Sequence, residues 1–425
     1  MNIFLIHGAY GNGTENWFPW AKEELEKLGY NVIVPQFPTP DNQRLNEWMR
    51  VFKNYREYIT KDTIFIGHSI GCAFILSILE TLNLKIKGCI LVAGFIESLQ
   101  NETFDAINKT FIDKEFDWKH IRNHCEQFYV LQSKDDPYVD FSRGITIAQN
   151  LKTMPIPYEN AGHFNTQAGY STFQDILRFC YLIEHQRKFQ VENLIGLQSL
   201  PTNPNNKAVI LIHGFGTNKH EWGRYDFETE HLTRHGYSVF RFDCTGRGES
   251  KGDYSLTSID VMAQDLDTIC EYVHTTLGFE KYAIIAQSMG TNATIVSSLK
   301  TVSTIILCAS ISDVDTYLTP IFKEVNKTGI SKRISSMGER MEIKHQYWDA
   351  YESYNLKEEV SKINKPILFI HGTGDTMIPP INSQEYYDVA NEPKKLVLLE
   401  GANHHLKPCW EELVREEIKW LKKYL

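Results

Sequence analysis

Gly67-His68-Ser69-Ile70-Gly71 is followed by Asp136 and then His163, and Ala286-Gln287-Ser288-Met289-Gly290 is followed by Asp375 and then His404. A serine hydroxyl at neutral pH is a poor nucleophile until an imidazole takes its proton, and the imidazole needs a carboxylate to hold its tautomer. All three residue types recur in the same order in both halves, so the chemistry expected is acyl transfer through a serine, twice. Small residues flanking each Ser let a strand turn sharply into a helix, which sets the side chain at the carboxyl edge of a sheet. Gly67 and Gly71 meet that need directly. Ala286 departs from it by one methyl group and is read as tolerated.

Lys134-Asp135-Asp136-Pro137 and Gly374-Asp375-Thr376 each follow an apolar run, where an Asp at a strand end points toward a histidine. Asp135 competes with Asp136, since either could serve as a turn or helix cap. Ala161-Gly162-His163-Phe164 and Gly401-Ala402-Asn403-His404-His405 lie past the last strand of their halves, at nearly equal intervals from the acids. That spacing selects His163 and His404, with His405 as the runner-up. His7, His68, His213 and His371 stand at strand ends and read as structural or site-lining. An oxyanion needs two backbone N–H donors. Ile70 and Met289 supply one each, and Ala9 and Phe215, in His7-Gly8-Ala9-Tyr10-Gly11 and His213-Gly214-Phe215-Gly216, supply the other.

The elements that must position these groups alternate along the chain. Strands are expected at Asn2 to Ile6, Asn31 to Val34, Thr63 to Ile66, Lys87 to Val92, Gln127 to Leu131 and Met154 to Tyr158, with helices at Trp17 to Leu28, Leu45 to Ile59, Cys72 to Leu82, Gly144 to Leu151 and Tyr170 to His185. The second half repeats the scheme with strands at Ala208 to Ile212, Ser238 to Phe242, Tyr282 to Ile285, Ser303 to Cys308, Pro366 to Ile370 and Leu396 to Leu399, and a closing helix from Trp410 to Leu425. Such alternation calls for mostly parallel sheets with helices on both faces. Two domains are expected, 1–187 and 188–425, the second opening on a hairpin over Phe189 to Leu200. The interval from Ser to Asp is longer in the second, and the surplus, Asp313 to Ile363, is expected as a helical cap over the site.

With 425 residues the chain is long enough for two cores. Its net charge of -9 comes from mixed acidic and basic residues without a basic stripe, which argues against nucleic acid. The eight cysteines form no Cys-x-x-Cys pair and read as buried thiols of a reducing compartment. Met1 leads straight into an apolar strand without a basic segment or cleavage site, so a cytoplasmic location is expected. The stretch from Cys72 to Ile96 is interrupted by Glu80, Lys85 and Lys87, and reads as a buried helix and strand instead of a membrane span. Gly246-Arg247-Gly248-Glu249-Ser250 lacks the glycine spacing of a dinucleotide loop, and His404-His405 lacks the spacing of a zinc site, so neither cofactor nor metal is expected. No oligomeric state is assigned.

The first half, through Trp17, Trp20, the Gly67-to-Gly71 turn, Asp135-Asp136-Pro137 and Gly162-His163-Phe164, resembles the small serine hydrolases of the retinoblastoma-binding-protein-9 type. That resemblance implies a compact α/β-hydrolase domain without a substantial cap, and Asp136 as the acid. The second half is similar to the cinnamoyl and feruloyl esterase or monoacylglycerol lipase branch of α/β-hydrolases, through His213-Gly214-Phe215-Gly216, Asp243-Cys244-Thr245-Gly246-Arg247-Gly248 and Ala286 to Gly290. It implies ester cleavage under a cap by Ser288, Asp375 and His404. The expectation is thus a tandem α/β-hydrolase, a carboxylesterase-like serine hydrolase of class EC 3.1 with a small-molecule acyl substrate. The alternatives are one catalytic domain beside a binding or scaffolding module, a thioesterase or peptidase, and two sites acting in succession on one molecule.

Overall fold

Ile3, Phe4, Leu5 and Ile6 are all buried, so this strand must have covered faces above and below it. The computed structural model describes residues 1–335 and 338–425, which divide into two compact units, Met1–Glu184 and His185–Leu425. In the first, β1 (Asn2–Ile6), β2 (Asn31–Ile33), β3 (Ile64–His68), β4 (Ile86–Val92), β5 (Cys125–Ser133) and β6 (Ile156–Tyr158) form one sheet in the order β2-β1-β3-β4-β5-β6. Every neighbouring pair is parallel. Because side chains alternate along a strand, Phe4 and Ile6 join the core on one face while Ile3 and Leu5 join the core on the other.

The helix Ile70–Leu79 is apolar on all sides, and each of its residues is buried. With β4 it accounts for the long apolar stretch after Cys72. Among the described residues no helix is long and apolar enough to cross a membrane. Leu45 to Ile59, expected as one helix, is α-helical over Leu45–Phe52 and tightens into a 3₁₀ helix over Lys53–Tyr58. Between β4 and β5 lie two helices that the sequence reading left out, Glu102–Ile112 and Trp118–Asn123. The first is capped by Asn101, which accepts from the Phe104 N–H, and it buries Asn108 and Phe111.

The second unit opens on a hairpin, β7 (Gln186–Val191) and β8 (Leu194–Ser199), which precedes β9 (Ala208–Ile212), β10 (Ser238–Phe242), β11 (Tyr282–Gln287) and β12 (Thr304–Cys308). An insertion carries β13 (Ile330–Ile334) and β14 (Arg340–Lys344), and β15 (Ile367–Gly372) and β16 (Lys394–Leu399) complete the count. The main sheet has the order β16-β15-β12-β11-β9-β10-β8-β7. It is parallel except where β8 meets β10 and β7.

The insertion corrects the expectation of a helical cap. It does contain the helices Val314–Tyr317, Gln346–Glu352 and Leu356–Lys362, but β13 and β14 pair antiparallel within it, Ser331 opposite Ile343 and Arg333 opposite Met341. Ser331, Met341 and Ile343 are buried while Lys332, Arg340 and Glu342 are exposed, the period-2 pattern of a half-buried hairpin. In β13 the polarity is inverted, with Ile330 and Ile334 exposed and Ser331 buried, which concealed that pattern in the sequence. Positions 336 and 337 of the expected cap lie outside the described residues. Trp348 is buried against the hairpin, its indole N–H donating to Ser331 Oγ at 2.9 Å.

Candidate active sites

Each candidate nucleophile sits at the junction of a strand and a helix, in a backbone conformation that only a constrained non-glycine residue keeps. Ser69 follows β3 with φ 57° and ψ -127°. Ser288 follows β11 with φ 52° and ψ -122°. The Ser69 N–H donates to the Val92 carbonyl and the Ser288 N–H to the Cys308 carbonyl, both at 2.9 Å. The helix that follows passes so close to the first core strand that a Cβ on Gly71 would lie 2.6 Å from the Ile6 carbonyl oxygen, and one on Gly290 2.7 Å from that of His213. At Gly67 an added Cβ would meet Ile75 Cδ1 at 2.6 Å. The residue in matching register in the second unit is Thr294, which has no Cδ1, and this is the space that Ala286 needs.

The acids occupy equivalent turns. Asp136 Oδ1 accepts from the N–H groups of Tyr138 and Val139 at 2.9 and 3.0 Å, and its Oδ2 lies 2.8 Å from His163 Nδ1. Asp375 Oδ1 accepts from Met377 and Ile378 at 3.0 and 2.9 Å, and its Oδ2 lies 2.7 Å from His404 Nδ1. Asp135 points elsewhere: its Oδ1 accepts from Ser133 Oγ and the Gly162 N–H. His404 Nε2 stands 3.1 Å from Ser288 Oγ, which closes the contact from Asp375 to serine. Ser69 and His163 line one cavity, but among the described residues no hydrogen bond joins them. Burial alone would raise the Asp375 carboxyl; hydrogen bonds from His371 and His404 outweigh it and hold the group well below the usual carboxylate range.

His405 does not take the place of His404. Its ring lies in the same cavity, with Nδ1 3.9 Å from Glu221 Oε1, and burial pushes it down to about 3.

The loops after β1 and β9, where the oxyanion donors are expected, each hold one N–H without an acceptor among the described residues. In the second unit the Gly214 N–H donates to Glu221 Oε2 at 2.9 Å and the Gly216 N–H to the Tyr254 hydroxyl at 2.7 Å. The Phe215 N–H between them has no partner among the described residues. In the first unit the Tyr10 N–H donates to Thr39 Oγ1 at 2.7 Å and the Gly11 N–H to the Gly8 carbonyl, again leaving Ala9 unengaged among the described residues. Ile70 and Met289 begin their helices, where a backbone N–H has no intrahelical acceptor. Ser69 opens into a cavity of about 690 Å³ bordered by Phe95, Leu99, Phe104 and Tyr138. Ser288 opens into one of about 320 Å³ bordered by Leu318, Ile321, Met341 and Met377. Helix Glu102–Ile112 supplies Phe104 and Asn108 to the first cavity, so this unit carries a short wall where the resemblance implied little cover.

Several positioning residues escaped the sequence reading or were read only as site-lining. The residue before each serine holds the loop of the base: His68 Nε2 donates to the His163 carbonyl, and Gln287 Nε2 to the His404 carbonyl, both at 2.8 Å. The next carbonyl is held by an indole N–H in each unit, Phe164 by Trp17 at 3.1 Å and His405 by Trp410 at 2.9 Å. His7 and His213 bridge the oxyanion loop to the strand beside it. Nδ1 of each lies 2.8 Å from the next residue's carbonyl, and Nε2 accepts a backbone N–H at 3.0 Å, from Phe37 and Cys244 respectively. Burial keeps both rings in the neutral form this needs, His213 pushed down to about 4. Glu221 had no local signal of its role, and Arg247 was read only as part of the Gly246-Arg247-Gly248 run. Arg247 grips both Glu339 carboxylate oxygens, at 2.8 and 3.1 Å, and the Gly216 carbonyl at 2.6 Å, which ties the insertion to the oxyanion loop.

Residues 3–181 match the family described as serine hydrolase, and residues 203–352 that described as serine aminopeptidase, S33. The second match ends before Asp375 and His404, which geometry alone joins to Ser288. The protein YdeN of Bacillus subtilis (strain 168) is 32% identical over 172 residues, 40% of this chain and 89% of the relative. The serine hydrolase RBBP9 of Rattus norvegicus is 26% identical over 175 residues, 40% of this chain and 89% of the relative. The solved structure of Est1E from Butyrivibrio proteoclasticus with ferulic acid is 17% identical and covers 56% of this chain and 98% of its own, with a TM-score of 0.48.

Proposed function

The chain belongs to the serine hydrolase family, and on that premise we propose that it holds two acyl-transfer sites, Ser69-Asp136-His163 and Ser288-Asp375-His404, which cleave carboxylic esters through acyl-enzyme intermediates. The observation that carries this reading is the continuous contact in the second unit, Asp375 Oδ2 to His404 Nδ1 at 2.7 Å and His404 Nε2 to Ser288 Oγ at 3.1 Å.

His404 Nε2 takes the Ser288 proton as Oγ attacks the ester carbonyl. The negative charge that forms on the carbonyl oxygen is received by the N–H of Phe215, which has no acceptor among the described residues, and by that of Met289 at the start of its helix. His404 then passes the proton to the departing alkoxide, leaving the acyl group on Ser288. Water, deprotonated by the same ring, attacks the acyl carbon, and the ring returns that proton to Ser288 Oγ as the bond to the serine breaks and the acid leaves. Asp375 keeps Nδ1 protonated and faces the positive ring that forms in each step. In the first unit His163, Asp136, Ala9 and Ile70 take the same parts. An ester is the class that asks least of this arrangement, because its alkoxide is a better leaving group than an amide nitrogen. Thioesters and small amides call for the same groups. The apolar walls of both cavities suit the carbon chain of an acyl group. Free thiols, buried except at Cys409, support a reducing, cytoplasmic setting.

The missing bond between Ser69 and His163 favours a second reading for the first unit alone, in which it binds without turnover. Rapid mixing with excess 4-nitrophenyl butyrate separates the two. Two working sites give a burst of nitrophenol of about two equivalents per chain, reduced to about one by Ser69→Ala or by Ser288→Ala. A burst unaffected by Ser69→Ala assigns turnover to the second unit only, and no burst or turnover in any variant refutes ester hydrolysis.

A further inference from the structure

Arg333 of β13 stands on the wall of the cavity that holds Ser288 and His404. Its guanidinium lies 5.1 Å from the ring centroid of Phe215, the residue whose N–H is left for the oxyanion. The remaining cations buried in this unit are spoken for: Lys219 by Asp243 at 2.6 Å, Arg241 by Asp226 at 2.6 Å, Arg247 by Glu339 at 2.8 Å and Arg224 by Glu228 at 3.3 Å. Arg333 forms no ion pair among the described residues; its guanidinium stands over Phe215, and the phenols of Tyr347 and Tyr254 are close enough to act on its charge. Among the described residues it is the one lysine or arginine lining this cavity. The carboxylate there, Glu221, is already bonded to the Gly214 N–H.

A half-buried guanidinium without a counter-charge loses solvation and gains little from a ring face. The loss of water holds Arg333 below the ordinary arginine value, yet an arginine remains charged at any pH the fold survives. The missing partner is therefore an anion, and a planar fork of donors matches a carboxylate in bidentate fashion. The cavity of the first unit is lined differently, with Glu15 and no lysine or arginine, so the two sites do not ask for the same charge.

We propose that the second unit acts on esters that carry a carboxylate besides the scissile bond, and that Arg333 receives that carboxylate and sets this specificity. The inference rests on Ser288 being the nucleophile. Its test uses the full-length Ser69→Ala protein, in which Ser288 alone is available for labelling. Two pairs of fluorophosphonates, one short-chained and one long-chained, each compare a terminal carboxylate with the corresponding primary amide, and the rate of adduct formation at Ser288 is followed by intact mass.

The carboxylate probe of at least one pair should label roughly 10- to 100-fold faster than its amide partner, the range expected for one charge-assisted contact. Arg333→Gln should bring the ratio of the two rates to about one, and Arg333→Lys should keep part of the preference. Labelling by the amide probe in Arg333→Gln reports that the hairpin and site still form. Equal rates in the parent protein, or a preference that survives Arg333→Gln, overturn the inference while leaving Ser288 as the nucleophile. Failure of both probes and of a small neutral fluorophosphonate to label Ser288 overturns the nucleophile assignment and the inference together.

Discussion

Gln287 Nε2 donates to the His404 carbonyl at 2.8 Å, so the strand that ends at Ser288, the proposed nucleophile, also grips the loop that carries His404, the proposed base. His68 does the same for His163 at the same distance, with a different side chain. A contact of this kind acts on position, and small misplacements of a base are costly in rate. Gln287→Leu should therefore lower kcat by about tenfold with little change in KM, and Gln287→His, the residue the first unit uses, should restore part of it. Steady-state kinetics in the Ser69→Ala background measure this. Equal activity of Gln287→Leu and the parent would show that the loop holds without the bond.

Glu221 fixes the Gly214 N–H and so the direction of the neighbouring Phe215 N–H. Burial raises its carboxyl, with Arg224 opposing. Glu221→Gln keeps an oxygen acceptor and should retain most of the activity, whereas Glu221→Ala should cost roughly 10- to 100-fold in kcat by loosening the oxyanion loop. The comparison of kcat for the two variants decides it; equal losses would point to charge instead of position.

Asp375 links the site to acid stability. Its folded-state carboxyl lies below the ordinary value because hydrogen bonds from His371 and His404 exceed the cost of its burial. A depressed carboxylate stabilises the fold above its unfolded pKa, about 3.9, and that contribution fades as pH falls through the folded value. Asp375→Asn should thus be less stable than the parent at pH 7 by a margin that stays level down to about pH 5 and shrinks below about pH 4. Urea unfolding of both proteins across this range provides the check.

Gly290 lies under the His213 carbonyl, and an added Cβ would stand 2.7 Å from that oxygen. Both are backbone-bound, so neither can turn away cheaply. Gly290→Ala should destabilise the second unit by about 2 kcal/mol and slow its reaction by displacing Ser288. Denaturation midpoints together with turnover in the Ser69→Ala background would reveal it.

Much of this architecture was legible because parallel strands buried on both faces read as continuous apolar runs, as Ile3 to Ile6 and Ala208 to Ile212 do. The family and the fold followed from Gly67 to Gly71 and their echo at Ala286 to Gly290. Hidden from that reading was whatever acts across sequence distance. Gln287 looks like any polar residue at a strand end until the His404 loop arrives beside it. Glu221 sits among other polar residues with no local pattern to distinguish it, and Arg247, although part of the Gly246-Arg247-Gly248 run, gave no sign that it would hold Glu339. The hairpin Ile330–Ile334 with Arg340–Lys344 escaped because β13 exposes its isoleucines, Ile330 and Ile334, and buries Ser331, which serves Trp348. The helix Glu102–Ile112 carries Phe104, Ile107 and Phe111 at helical spacing, a signal the sequence reading passed over, although of these only Phe111 is buried.

The central claim is that Ser69 and Ser288 are separate nucleophiles in one chain, and intact mass after treatment with a small neutral fluorophosphonate tests it most directly. Two adducts on the parent, one on Ser69→Ala, one on Ser288→Ala and none on the double variant are the predicted result. A parent that takes a single adduct, lost entirely on replacing one serine, would contradict it and leave the other unit without a working nucleophile.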